Sequence, residues 1–254
     1  MRRTLIVTND FPPRPGGIQS FVHGLATRLP PDTVVVYAPA WEGAAEFDAR
    51  QPFPVIRHPT SLMLPAPSVS RRASAIAREY GCDTVLFGAA APLGLITPAL
   101  RRAGVSRAVA LTHGHETGWA ALPLARGLLR RIGDRVDVVT YLGEYVRVRL
   151  ARVLSAAAAE RMVRLTPGVD VTFFRPGAGG AAIRDRLGLG AKPVVVCVSR
   201  LVRRKGQDTL IRAWPLVRAE VGDAVLLLVG DGPYAGRLRR LAGRLGVGLS
   251  LIHI

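Results

Sequence analysis

Leu5-Ile6-Val7-Thr8-Asn9-Asp10-Phe11-Pro12-Pro13-Arg14-Pro15-Gly16-Gly17-Ile18-Gln19-Ser20 is the stretch on which the fold turns. A short β-branched run from Leu5 to Thr8 reads as a strand, the proline-rich segment as a turn, and Gly16-Gly17 as the entry to a helix with apolar spacing through Phe21, Leu25 and Leu29. Further strand-like runs follow at Val34 to Tyr37, Thr84 to Phe87, Ala108 to Thr112, Val136 to Thr140, Val194 to Val198 and Ala224 to Val229, separated by longer amphipathic segments. Such alternation predicts βαβ units, parallel sheets and an α/β fold with helices on both faces. The rhythm breaks between Thr166 and Lys192 at Pro167, Gly168, Pro176, Gly177, Gly179 and Gly180, before a short helical piece from Ala181 to Leu187. The chain is therefore expected to divide into residues 1–168 and 169–254. Each half opens with a strand, a glycine-bearing or basic loop and a helix. In open α/β sheets ligands sit at the carboxyl ends of strands, so both loops are expected to face one cleft.

Composition narrows the function. The 254 residues carry 35 basic against 18 acidic side chains, a formal charge of +17, and only Lys192 and Lys205 of the basic residues are lysines. A field of that sign favours anionic partners, either without specificity or at a membrane surface. No signature of a nucleic-acid module accompanies it, so no nucleic-acid partner is expected. Cys82 and Cys197 lie far apart in apolar runs, without the spacing of a zinc site or a disulfide framework, and read as buried thiols. The apolar stretch after Arg2 and Arg3 is too short for a secretory signal, which points to the cytoplasm. The uncharged stretch from Thr84 to Leu100 approaches the length of a membrane span, but Pro92, Pro98 and its glycines favour a strand, a turn and a buried helix.

Three clusters can carry chemistry. The backbone at Gly16 and Gly17 can approach a ligand closely, and the free amides of a helix start favour an anion; a simple tight turn needs the same glycines. Ser199-Arg200-Leu201-Val202-Arg203-Arg204-Lys205-Gly206 follows a strand directly, and a guanidinium with an ammonium at a strand mouth suits a diphosphate. The competing reading is a solvated basic loop. Thr112-His113-Gly114-His115-Glu116 ends another strand, where a histidine can contact a sugar hydroxyl or cap the next helix. In extended geometry His113 and His115 face opposite sides, which argues against a metal site.

As a set these stretches, with Pro167-Gly168-Val169-Asp170, Arg204-Lys205-Gly206-Gln207-Asp208 and Gly230-Asp231-Gly232-Pro233, resemble glycosyltransferase family 4, and most closely its phosphatidyl-myo-inositol mannoside mannosyltransferases that use GDP-mannose. The resemblance runs from Leu5 to about Gly246. It implies the GT-B fold, two Rossmann-like domains facing a cleft, here with the second incomplete. It also implies a retaining hexosyltransferase in which Gly16 and Gly17 meet the donor diphosphate, and in which Arg200 and Lys205 neutralise that group as it leaves. His113 would touch the transferred sugar, Asp10 and Gln19 would lie towards the acceptor, and Gly230 and Gly232 would belong to the nucleotide-side loop. Electrostatic preorganisation would then supply most of the acceleration, with no metal or other cofactor required. The implied partners are a nucleotide-diphosphate sugar, a lipid or glycolipid acceptor and an anionic membrane, with peripheral attachment to the inner face of the cell membrane.

The family also carries a Glu-x7-Glu pair towards its C-terminal side, whereas the sole glutamate here after Arg200 is Glu220. The 85 residues from Asp170 onward are enough for two strands and their helices, leaving an open edge at Ala224 to Val229. Leu251-Ile252-His253-Ile254 reads either as a non-native ending or as a short strand closing that sheet. An incomplete, inactive enzyme is therefore expected from this chain. Two other readings stay open: another GT-B enzyme using UDP- or ADP-sugars, and a non-catalytic protein that binds phosphate or anionic membranes.

Overall fold

The computed structural model describes residues 2–119, 122–247 and 249–252. The chain forms two compact units, Met1–Val169 and Asp170–Ile254. The first holds strands β1 (Thr4–Val7), β2 (Val34–Pro39), β3 (Val55–His58), β4 (Thr84–Phe87), β5 (Arg107–Ala110), β6 (Val138–Tyr141) and β7 (Met162–Arg164). Its helices are α1 (Gly17–Ala26), α2 (Ala44–Asp48), α3 (Pro67–Glu79), α4 (Thr97–Arg102), α5 (Glu116–Trp119), α6 (Pro123–Arg135), α7 (Glu144–Ala151) and α8 (Ala156–Glu160). The second unit contains α9 (Gly180–Arg186), β8 (Val194–Val198), α10 (Gln207–Glu220), β9 (Val225–Val229), α11 (Ala235–Arg244) and β10 (Leu249–Ile252).

Every ladder in both sheets is parallel. In the first unit the order is β3-β2-β1-β4-β5-β6-β7, so the chain reverses its direction of travel across the sheet between β1 and β4. Alternation along β1 explains why both faces are covered. Leu5 and Val7 join a core with Val69, Ala73 and Ile76 of α3, Leu100 of α4 and Ile132 of α6. Ile6 points the other way, into a core with Val22 and Ala26 of α1 and with Phe11 and Phe53. A strand buried on both sides has to read as a continuous apolar run, as β1, β2 and β4 do. The stretch from Thr84 to Leu100 resolves into β4, a 3-10 turn at Leu93–Ile96 and the first part of α4. Among the described residues, no helix is long and apolar enough to cross a membrane.

Two edge strands were not expected from the sequence. β3 contains only two apolar residues, and Arg57 at its third position is nearly buried beside Asp48. The guanidinium donates from Nε and Nη2 to the two Asp48 oxygens at 2.9 and 2.7 Å, and to the Pro12 and Pro39 carbonyls at 2.7 and 3.0 Å. It also lies 5.6 Å from the Phe11 ring centroid. This one side chain therefore fixes the proline turn that leads from β1 into Gly16. β7 is shorter still and pairs with β6.

The second sheet has the order β10-β9-β8, which corrects the expectation of two strands with an open edge at β9. Leu249 to Ile252 pair with Leu226 to Val229, so the ladder closes the hydrogen-bonding edge of β9. His253 and Ile254 lie outside the described residues. Leu226 and Leu228 pack with Ile211 and Trp214 of α10 and with Leu238 and Leu241 of α11. The other face of β8 is bare, with Val196 53% and Val198 73% exposed. Both cysteines are free; Cys82 is buried as expected, while Cys197 on β8 is only half-buried. Burial pushes the Cys82 thiol up to about 11, against the opposing pull of Arg3.

Replacing Arg57 by Met would leave the nearly buried Asp48 carboxylate without its partner. A loss of about 3 to 5 kcal/mol is expected in urea denaturation of the first unit. Adding Asp48→Leu to Arg57→Met is expected to recover most of it.

Candidate functional site at the strand ends

The point where the sheet order reverses opens a crevice beyond β1 and β4, the usual place for a ligand in this topology. Three loops meet there. After β1, Thr8 is fully buried, and its Oγ1 accepts the Asp10 N–H at 2.9 Å. After β4, Gly88 donates its N–H to the Val7 carbonyl at 2.9 Å. A Cβ at Gly88 would overlap Thr8 Oγ1 and Cβ, so the two strand ends approach as closely as they do only because this residue is glycine. The third loop follows β5, where Thr112 Oγ1 donates to the Thr140 carbonyl at 2.5 Å.

His113 stands over this junction. Its Nε2 bonds the Gly88 carbonyl at 2.6 Å, so Nε2 carries the proton and Nδ1 is the remaining acceptor of the neutral ring. Phe21 of α1 meets the ring edge-on, with centroids 5.6 Å apart. His115 corrects the sequence reading: its ring is stacked on that of His113 at 6.2 Å and 4° between planes, and does not face the opposite side. The cause is Gly114, whose φ of +88 takes the backbone out of the extended conformation that the argument from alternation assumed. Glu116 is fully buried, and its Oε2 accepts the His113 backbone N–H at 3.0 Å. The helix start is thus tied by Glu116 to the His113 backbone, while the His113 ring stays clear of any capping role.

The expected acceptor-side pair also comes together, since Gln19 Nε2 donates to Asp10 Oδ1 at 2.7 Å. Gly16 and Gly17 separate in character. A Cβ at Gly16 would overlap the Gln19 amide, which gives that glycine a packing reason. A Cβ at Gly17 would meet nothing within 4 Å, and Gly17 opens α1 beside a groove of about 360 Å³ formed with Ser20, Phe21, Gly24 and Pro167. Asn9 turns away from the crevice and grips the backbone of Met63, its Nδ2 donating to the carbonyl at 2.9 Å and its Oδ1 accepting the N–H at 2.7 Å.

In the second unit Arg200 and Lys205 are exposed on the loop after β8, and neither pairs with a carboxylate among the described residues. Gln207 is buried beneath them, donating from Nε2 to Ser199 Oγ at 2.8 Å and to the Arg200 carbonyl at 3.0 Å. Gly230 and Gly232 lie on the loop after β9, where a Cβ would overlap the Ser199 and Leu201 carbonyls respectively. Leu201 N–H donates to the Asp231 carbonyl at 2.9 Å, so the two loops cross backbone to backbone. Among the described residues no cluster of three or more His, Cys, Asp and Glu is placed to hold a metal ion.

Gly88, Phe21 and Glu116 were not singled out for the site from sequence. Glu116 stood within a quoted motif, and Gly88 ends an apolar strand, but what each touches depends on strand order.

Residues 15–173 match the model of Glycosyltransferase Family 4, and residues 192–252 that of Glycosyl transferases group 1. The chain belongs to glycosyltransferase family 4. It is 52% identical over 248 residues to a GDP-mannose-dependent alpha-(1-6)-phosphatidylinositol monomannoside mannosyltransferase of Mycolicibacterium smegmatis, covering 96% of this chain and 64% of that one. A protein of the same description from Mycobacterium tuberculosis is 51% identical over 254 residues, covering 97% and 66%. The chain thus spans just under two thirds of the length of these relatives. Anabaena Alr3699/HepE, solved in complex with UDP and glucose, superposes with a TM-score of 0.77 at 18% identity, covering 100% of this chain and 69% of that one. A glycosyltransferase from Rickettsia africae gives 0.73 at 15%, covering 99% and 68%. The fold is that of the GT-B glycosyltransferases.

Gly88→Ala is expected to lower stability by about 1 to 3 kcal/mol through overpacking against Thr8. The same substitution is expected to displace the His113 ring, read as a change in its NMR resonances; Gly17→Ala is expected to leave stability unchanged.

Proposed function

We propose that this protein is a retaining hexosyltransferase that moves mannose from GDP-mannose to a phosphatidylinositol mannoside or a similar glycolipid. The observation that carries the reading is identity of about half, over nearly the whole chain, to relatives named for that reaction. The site chemistry supports it. Gly17 leaves its helix start open to an anion, with amide dipoles directed at it. Arg200 and Lys205 carry charge that no described carboxylate neutralises, as a diphosphate partner needs. In the transfer, the bond from the sugar C1 to the diphosphate oxygen breaks. The acceptor hydroxyl oxygen bonds C1 on the same face, and its proton passes to the departing diphosphate. His113, held with Nε2 on Gly88, offers Nδ1 as an acceptor for a sugar hydroxyl. Asp10 and Gln19 serve the acceptor side, with the loop of residues 59–66 that Asn9 holds, while Gly230 and Gly232 shape the nucleotide-side loop. On this reading residues 1–168 take the acceptor and residues 169–254 the nucleotide sugar.

A second surface bears on the lipid. Arg71 and Arg78 of α3 and Arg102 of α4 line a groove of about 620 Å³ with Ser70 and Ser74, over an apolar floor of Leu95, Ile96 and Pro98. None of these three guanidinium groups pairs with a carboxylate among the described residues. Arg101, next to Arg102 on α4, is instead committed to Asp137 at 2.7 Å. Cations around an apolar floor suit the headgroups of an anionic bilayer on which the protein docks peripherally at the inner face of the cell membrane.

Calorimetric titration with GDP, UDP and ADP is expected to favour GDP. Lys205→Ala is expected to cost about 1.5 to 3 kcal/mol of that binding. In a full-length enzyme, His113→Ala is expected to lower mannose transfer while GDP affinity holds. Equal affinity for the three nucleotides, or GDP binding unmoved by both Arg200→Ala and Lys205→Ala, overturns the reading. Vesicle sedimentation is expected to show binding to anionic but not neutral liposomes, weakened by salt and by the triple change Arg71→Gln, Arg78→Gln and Arg102→Gln. Equal binding to both lipid types removes the docking claim.

A further inference from the structure

Glu116 carries a contradiction in its surroundings. It is fully buried, yet only Oε2 is satisfied, by the His113 backbone N–H; Oε1 is buried without a hydrogen-bond partner. A buried carboxylate oxygen left unpaired is costly, and such groups are kept where a donor stands ready. The donor at hand is His115, whose Nε2 lies 3.6 Å from Oε1 and whose side chain is 44% exposed. Closing that gap to hydrogen-bond length takes under about 1 Å, well within a side-chain adjustment. The same imidazole lies parallel to that of His113.

We propose that Glu116 and His115 form a positioning couple for His113. The carboxylate takes the His113 backbone N–H on one oxygen and the His115 Nε2 proton on the other. His115, held in this way, completes the carboxylate that sets the His113 backbone, and so keeps the His113 ring in a single orientation with Nε2 on Gly88 and Nδ1 towards the ligand. His113 then has its backbone set by Glu116, one face by His115, its edge by Phe21 and one nitrogen by the Gly88 carbonyl. Neither Glu116 nor His115 needs to touch substrate for this. The inference rests on the proposed role of His113 at the transferred sugar, but its structural content is independent of turnover.

The test uses the ligand-free chain with nitrogen-15-labelled histidine, at a pH above the imidazole range. A single tautomer shows one protonated and one unprotonated ring nitrogen, whereas exchange between tautomers draws the two resonances towards a common average. Wild type is expected to show the single Nε2–H form at His113. His115→Gln keeps an N–H donor for Glu116 without the aromatic ring, and is expected to keep that pattern. His115→Phe keeps the flat ring without the donor, and is expected to lose it. Should His115→Phe fail to fold, Glu116→Gln reads the same point, since it places a donor where His115 needs an acceptor and is expected to lose the pattern. An unchanged His113 signature in the Phe variant, or in Glu116→Gln if that variant must stand in for it, overturns the proposal. So does a Gln variant at 115 as disturbed as the Phe variant, because the hydrogen bond to Glu116 would then not be what holds the ring. Since no transfer is measured, failure of the mannosyltransferase reading leaves this result interpretable, and the converse also holds.

Discussion

The contact between Thr8 and Gly88 is the constraint from which the rest of the site follows. Two adjacent parallel strands whose loops leave in opposite directions must come very close at the point of divergence. Here the Thr8 side chain occupies the space that any side chain on residue 88 would need. The closeness brings the Gly88 carbonyl within reach of His113 from the neighbouring strand. It also puts the loop after β1, and with it the start of α1, beside that histidine, as the Phe21 contact shows. Packing and site geometry are therefore one problem at this position.

The second unit solves a similar problem differently. Gly230 and Gly232 allow the loop after β9 to cross the loop after β8 at backbone distance, and Gln207 ties the crossing from below. The two basic side chains are thus carried on a stiff loop while remaining solvated themselves. That combination suits a site that must attract an anion without being neutralised beforehand by its own protein.

Much of this was legible in the sequence, and the failures have physical causes. The central strands declared themselves because burial on both faces forces continuous apolar runs. β3 and β7 did not, because an edge strand needs little apolar surface; in β3 a nearly buried arginine, satisfied by Asp48 and two carbonyls, stands where the pattern would ask for an aliphatic residue. The glycine and basic loops were found because each residue type announces its chemistry locally. The mutual placement of His113 and His115 was misjudged since one glycine with positive φ reverses what alternation dictates. Gly88 stayed hidden because its importance lies in a neighbour 80 residues earlier in the chain, and only strand order reveals that neighbour.

Asn9 offers a different kind of consequence. It holds the loop of residues 59–66 through Met63 by that residue's N–H and carbonyl alone, atoms that every residue except proline possesses. The grip is therefore indifferent to which side chains the loop displays. Leu62 and Leu64, both more than half exposed, can be exchanged without disturbing the anchor. A scaffold arranged in this way is evolvable: this loop can diversify by point substitution while the crevice beside it keeps its geometry. Descendants of one ancestor can then present different loop surfaces without first acquiring a new fold.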